Sequence, residues 1–208
     1  VRAGYLFNST IAGIDDADAL LIIGSNPRIE AAVLNARIRR NWLSTGLPVA
    51  VVGPKMDLTY DAAFLGDESA VLADLASGKH KFAAKLKKAK RPMIIIGMGA
   101  LARAGGAAVL GQSRDIAETY GVVTKTWNGF NILHSVASRV AGLDMGFVPE
   151  KSGLDVEAMC KAAEAGKLDL VWLLGADEAD LPRLKNAFIV YQGHHGDNGA
   201  HHADVVLP

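Results

Sequence analysis

The sequence predicts an α/β protein built from two parallel-sheet domains, and three observations lead there. Ala19 to Ile23, Pro48 to Val52, Met93 to Ile96, Leu170 to Leu174 and Phe188 to Gln192 are short apolar runs without polar alternation. Strands covered by helices on both faces have that pattern. Polar, glycine-rich turns follow directly after these runs, where open α/β sheets place ligand or partner surfaces. The 208 residues are enough for two modest domains of this kind. The boundary is expected near Lys90 to Pro92, giving a first domain at 1–90 and a second at 91–208.

Residues 1–17 form a polar lead-in to the first strand. Gly24-Ser25-Asn26-Pro27 turns the chain, and Pro27 suits the first turn of a helix expected over Arg28 to Ser44. With the strand Pro48 to Val52 this makes a βαβ unit, whose crossover should be right-handed. Gly53-Pro54 opens a turn-rich stretch to Asp67, followed by helices over Glu68 to Ala76 and Lys81 to Lys90. Met93 to Ile96 is a strand, Gly105 to Tyr120 a helix and Val122 to Thr126 the next strand. Ile132 to Gly142 is expected as a helix carrying His134, and Asp155 to Glu164 as a helix with Val156, Met159 and Cys160 in the core. The last stretch reads as strand, short helix over Asp180 to Lys185, strand, a Gly- and His-rich loop, and a closing strand Ala203 to Leu207.

Composition excludes several function classes. Lys plus Arg equals Asp plus Glu at 22 each, which argues against a nucleic-acid or anionic-membrane surface, since either needs a basic patch. The run Lys81 to Pro92, KFAAKLKKAKRP, is better read as a solvated helix face and linker than as such a patch. A single cysteine, Cys160, can make no internal disulfide and no iron–sulfur or structural zinc site. No apolar run approaches the ~18 residues of a membrane span. The chain opens on Val1 and stops at Pro208 directly after a strand, and it reads as a piece of a longer protein.

Three motifs could carry chemistry. Gly24, Ser25 and Asn26, at a strand-to-helix junction, could cradle a phosphate with backbone amides. The alternative is a tight turn capped by Ser or Asn. Gly97-Met98-Gly99-Ala100-Leu101-Ala102 is G-x-G-x-x-A after a strand and before a helix, as in a dinucleotide fold. The next strand ends without the acid that would hold a ribose, so an independent nicotinamide site is not expected from Gly97 and Gly99. His194, His195, His201 and His202, with Asp197 and Asp204, could bind a transition metal adventitiously. The glycines among them and the absence of i,i+4 pairing favour a turn-rich loop or contact surface.

Phe188-Ile189-Val190-Tyr191-Gln192-Gly193-His194-His195-Gly196-Asp197, followed by Ala203-Asp204-Val205-Val206-Leu207-Pro208, resembles the large iron–sulfur subunit of respiratory complex I. Further matches are Phe7-Asn8-Ser9-Thr10, Asn35-Ala36-Arg37-Ile38-Arg39, Asp57-Leu58-Thr59-Tyr60, Leu65-Gly66-Asp67, Asn131-Ile132-Leu133-His134 and Leu174-Gly175-Ala176-Asp177, in order along nearly the whole chain. The resemblance implies two Rossmann-like domains of the formate dehydrogenase/DMSO reductase type. Ile22 to Pro27, Gly97 to Gly99, Asp144-Met145-Gly146 and Ala203 to Pro208 echo that wider group.

True molybdoenzymes of the group carry an Arg-Gly-Gln-Asn-rich loop shortly before the Asp-Met-Gly. The stretch here reads Gly129-Phe130-Asn131-Ile132-Leu133-His134-Ser135, so the loop's glycine and amide pattern is lost. The alternative of a pterin-dinucleotide-binding domain of a molybdenum oxidoreductase rests on the remaining matches.

In the family the iron–sulfur clusters sit in a cysteine-rich N-terminal part. The resemblance therefore implies a C-terminal, cofactor-free portion of a subunit that relays electrons from NADH and flavin towards quinone. Gly24, Ser25, Asn26, Gly97 and Gly99 would be vestigial, and no residue would be catalytic. The implied partners are the cluster-bearing part of the same chain and other subunits of the complex I peripheral arm, with no nucleic acid and no membrane insertion. The implied location is peripheral, on the cytoplasmic face of the bacterial inner membrane or the matrix side in mitochondria.

Overall fold

The computed structural model describes residues 1–208, the side chain of Ser69 excepted. It divides into two compact units, Val1–Asp144 and Met145–Pro208.

The first unit contains strands β1 (Ala19–Ile23), β2 (Val49–Val52), β3 (Ala63–Gly66), β4 (Pro92–Gly97) and β5 (Phe130–Leu133). Its helices are α1 (Pro27–Glu30), α2 (Ala32–Thr45), α3 (Ser69–Ala76), α4 (Ala83–Lys88), α5 (Met98–Leu101), α6 (Gly106–Thr119) and α7 (Arg139–Asp144). All five strands run parallel in the order β3-β2-β1-β4-β5. From β1 the chain winds through α2 towards β2 and β3, then returns past β1 to β4 and β5. Right-handed crossovers in opposite directions put their connections on opposite faces, and two cores result. Leu34 and Ile38 of α2, with Leu58 and Tyr60, pack on Leu20, Ile22, Val51 and Ile95. Leu72, Leu75, Leu86 and Ile116, from α3, α4 and α6, pack on Leu21, Ile23, Ala50 and Ile94. Every residue of β1, β2 and β4 is buried, as uninterrupted apolar runs require.

The second unit contains α8 (Val156–Glu164), β6 (Leu170–Leu174), a 3₁₀ turn at Leu181–Leu184, β7 (Phe188–Gln192), α9 (Asn198–His202) and β8 (Val205–Leu207). Its three strands are parallel in the order β6-β7-β8. The Asp155 side chain caps α8 by accepting from Ala158 N–H at 2.8 Å. One core forms, with Cys160 and Ala163 of α8 and Leu181 and Leu184 of the 3₁₀ turn against Leu173, Ile189 and Tyr191.

Several sequence expectations need correction. The division does not fall at Lys90 to Pro92, because Pro92 to Ile96 of β4 pair with the whole of β1. The Asp18 carboxylate also accepts from Lys90 N–H at 2.7 Å and Arg91 N–H at 2.9 Å, tying the starts of these two strands together. The helix expected over Arg28 to Ser44 breaks at Ala31, whose φ of −152° and ψ of 66° are not helical. Ile132 to Gly142 is not one helix. Phe130–Leu133 is strand β5, and α7 begins only at Arg139. Val122 to Thr126 forms no strand but turns back on itself through a single bridge, Val123 to Asn128. On α8, Cys160 is buried but Val156 and Met159 are exposed.

Candidate functional site

In an open parallel sheet the ligand crevice lies beyond the carboxyl ends of the two adjacent strands at which the winding reverses. Here those strands are β1 and β4, so the crevice belongs to Gly24-Ser25-Asn26 and Gly97-Met98-Gly99. The structure thus brings the two glycine motifs together, at the place where a dinucleotide would be sought.

The local geometry closes that place. A Cβ on Gly97 would lie 2.4 Å from the Gly24 carbonyl oxygen and 2.7 Å from the Ser25 Cβ. A Cβ on Gly24, whose φ is +58°, would lie 2.3 Å from the Ala100 Cβ. These glycines let the β1 turn, the end of β4 and helix α5 approach one another, rather than letting a pyrophosphate approach the backbone. Gly99 is looser, with the Gly24 carbonyl oxygen 3.8 Å from where its Cβ would stand.

An internal carboxylate completes the closure. Glu30 accepts from the Asn26 backbone N–H at 2.6 Å and from the Ser25 hydroxyl at 2.9 Å. This is the reach-back of a side chain into its own helix start that capping boxes use. The following position is Pro27, which has no N–H, and the Ile29 N–H donates to the Asn26 carbonyl at 3.0 Å. A phosphate arriving here would meet a carboxylate already holding the donors. The Asn26 side-chain oxygen is buried without a partner. At this turn the donors of Ser25 and Asn26, and the space beside Gly24 and Gly97, are taken up within the chain itself.

The histidine-rich segment divides in two. His194 and His195 face each other through their Nδ1 atoms, with ring centroids 4.4 Å apart in an edge-on arrangement. His201 and His202 lie on α9, where His202 Nδ1 contacts the Asn198 carbonyl at 3.0 Å. The two carboxylates are engaged elsewhere. Asp197 accepts the Tyr191 hydroxyl at 2.6 Å, and Asp204 accepts the Ile189 N–H at 2.8 Å. The Tyr191 bond holds the Asp197 carboxyl below its usual range, while the same bond, with burial, pushes the Tyr191 phenol up to about 12. Among the described residues, no three His, Cys, Asp or Glu side chains gather as a metal-holding group.

The family-resembling segments pair with one another. Phe7 to Thr10 lies against Asn131 to His134: Ile132 N–H donates to the Leu6 carbonyl at 2.9 Å, and Ser9 N–H to the Asn131 side chain at 2.9 Å. His134 Nε2 contacts the Tyr5 carbonyl at 2.6 Å. Asn35 likewise meets Asp57 to Tyr60, donating to the Leu58 carbonyl at 3.1 Å and accepting the Tyr60 hydroxyl at 2.8 Å. Burial raises the Tyr60 phenol well above its ordinary value. Arg39 holds the Thr59 carbonyl at 3.1 Å, and Arg28 pairs with Asp57. The Thr59 N–H and Arg28 together hold the Asp57 carboxyl below its usual range. These polar residues fasten irregular segments to the sheet; their spacing along the chain gives no sign of the pairing.

Comparison with known proteins follows the same lines. The family model for molybdopterin oxidoreductase matches residues 1–208. The chain is similar to NADH dehydrogenase [ubiquinone] iron-sulfur protein 1, mitochondrial, of Solanum tuberosum, at 43% identity over 209 residues, covering 100% of this chain and 27% of that protein. It is 45% identical over 207 residues to an NADH-quinone oxidoreductase subunit of Rickettsia bellii, covering 100% of this chain and 29% of that one. The mitochondrial NADH-ubiquinone oxidoreductase 78 kDa subunit of Neurospora crassa is 45% identical over 214 residues, with 100% and 27% covered. The chain therefore spans less than a third of the length of these relatives.

Proposed function

The chain belongs to the molybdopterin oxidoreductase family, and from that premise we propose that it is a structural, cofactor-free portion of the large iron–sulfur subunit of an NADH:quinone oxidoreductase. The observation that carries this reading is the identity of 43% to 45%, along all of this chain, with proteins whose names are those of that subunit. The parent relays electrons from NADH through flavin and iron–sulfur clusters to quinone. This portion supplies a scaffold for the cluster-bearing part and for neighbouring subunits of the peripheral arm. The parent sits peripherally, on the cytoplasmic face of the bacterial membrane or the matrix side in mitochondria. No helix among the described residues is long and apolar enough to cross a membrane.

The closed β1–β4 turn supports the cofactor-free part of the reading. Glu30 holds the anion position, and Gly24, Gly97 and Ala100 fill the space. A second reading, a pterin-dinucleotide-binding domain, draws on the family match itself. The two part on one measurement: pterin analysis by oxidative fluorescence of the natively purified, full-length parent. A blank is expected. A stoichiometric pterin signal would overturn the cofactor-free reading and require the β1–β4 turn to open around a ligand.

A further inference from the structure

The sheet of the second unit has one bare face. Leu170, Trp172 and Leu174 alternate along β6 onto the side away from the core and are 53%, 53% and 70% exposed. Parallel register sets Phe188 beside Leu170 and Val190 beside Trp172, and Val205 of β8 beside Val190. Phe188 is itself 48% and Val205 39% exposed, while Val190, in the middle of the face, is buried at 8%. The other side of the same strands carries Leu173, Ile189 and Tyr191, all in the core with α8 and the 3₁₀ turn. Parallel sheets with one face in water are not a stable architecture, and contiguous apolar patches of this kind mark contact surfaces.

The winding explains which face is bare. The chain moves from β6 to β7 to β8 in one direction, so both right-handed crossovers fall on one side. A sheet wound in one direction cannot cover its second face with its own connections. In the first unit the winding reverses at β1, and both faces are covered. A reversal at β6, adding strands to its free edge, would bring helices onto the bare side.

We propose that the bare face is an intrachain docking surface, covered by a helical layer of the same polypeptide from outside these 208 residues. The relatives leave ample chain for it, since this chain covers only 27% to 29% of them. Gln192, set beside Leu174, is polar, but the other exposed side chains of this face are apolar or aromatic and none is charged, which suits the apolar stripe of a permanently packed helix rather than a transient polar interface. The inference rests on the proposed function only in taking the polypeptide to continue beyond this chain.

The test uses the natively purified full-length polypeptide in its complex. Hydroxyl-radical footprinting needs no variant, and Trp172 is expected to oxidise several-fold more slowly there than in the 208-residue chain alone. A photo-crosslinker placed by Phe188→p-benzoylphenylalanine in the full-length chain then identifies the occupant. Cross-links to the same polypeptide outside Val1–Pro208, with no added subunit mass, are expected. Cross-links to another subunit, to a second copy or within Val1–Pro208, or a Trp172 as reactive as in the isolated chain, would overturn the inference and leave the proposed function standing. Finding the native polypeptide to be no longer than this chain would overturn both.

Discussion

The two sheets of this molecule are made from the same kind of strand and reach opposite outcomes. Ala19–Ile23 and Leu170–Leu174 are both five-residue apolar runs in parallel pairing. The first is buried at every position, whereas the second has one buried residue of five. Residue type does not separate them. Position in the winding does, because β1 is where the chain reverses and β6 begins a one-way progression. A strand's apolar run states how much burial it needs, and topology decides which segments provide it.

The largest expected effect tests that difference directly. Leu20→Ala, in the fully buried β1, should destabilise the first unit by about 2–5 kcal/mol through lost transfer energy and a cavity. Leu174→Ala, on the bare face, should change the stability of the 208-residue chain by no more than about 0.5 kcal/mol. Urea unfolding of both variants reads the contrast. The sharper form repeats Leu174→Ala in the full-length protein, where a covered face should raise its cost towards about 2 kcal/mol. Equal small effects in both contexts would mean that the second sheet stays bare.

The next effect concerns the reversal point itself. Gly97→Ala should cost about 1–3 kcal/mol, because the new methyl meets the Gly24 backbone oxygen rather than a flexible side chain. Gly99→Ala, with 3.8 Å of room at the same carbonyl, should be close to neutral. If instead Gly97→Ala were harmless, the β1–β4 turn would be open enough to readmit a ligand. Tyr60→Phe should cost about 1–3 kcal/mol by leaving the buried Asn35 oxygen without its donor, again read by urea unfolding.

How far the sequence reaches follows from the same contrast. Apolar runs made β1, β2, β4, β6 and β7 legible, and the turn-plus-proline pattern placed Pro27 at a helix start. β5 was not legible. Phe130-Asn131-Ile132-Leu133 leads without a break signal into residues that suit a helix, and what makes it a strand is pairing with β4 and the segment around Leu6 to Ser9, more than 120 positions away in sequence. β3 was missed because its four residues include a glycine and sit at an edge with none fully buried. At the candidate site, both glycine motifs were legible as strand-end turns. Their mutual contact was not, nor was Glu30, since spacing does not reveal that a helix will break at Ala31 and aim this carboxylate back at Asn26.

The smallest effect is the pH dependence that a single clamp gives the second unit. In the second unit Arg183 of the 3₁₀ turn bridges two carboxylates of α8, with Nη1 2.8 Å from Glu157 and Nε 2.7 Å from Glu164. These bonds from the guanidinium, offset in part by desolvation, hold both carboxyls below their ordinary value. A carboxyl whose folded pKa is depressed adds stability above its unfolded value and loses it as the pH falls through the folded one. The second unit should therefore lose stability on acidification from about pH 5 downward, modestly, because these groups are solvent-exposed and screened. Arg183→Gln should remove the part of that acid limb owed to Glu157 and Glu164, leaving the part owed to Asp197, which Tyr191 holds low, and leaving the first unit's unfolding unchanged; 0.5 M salt should mimic it in part. Thermal melts at stepped pH, followed through Trp172 fluorescence in a background where Trp42 and Trp127 are replaced by Phe, read the second unit alone. If Arg183→Gln left the acid limb intact, the α8 clamp would be incidental, and the single core on Leu173, Ile189 and Tyr191 would hold that unit without it.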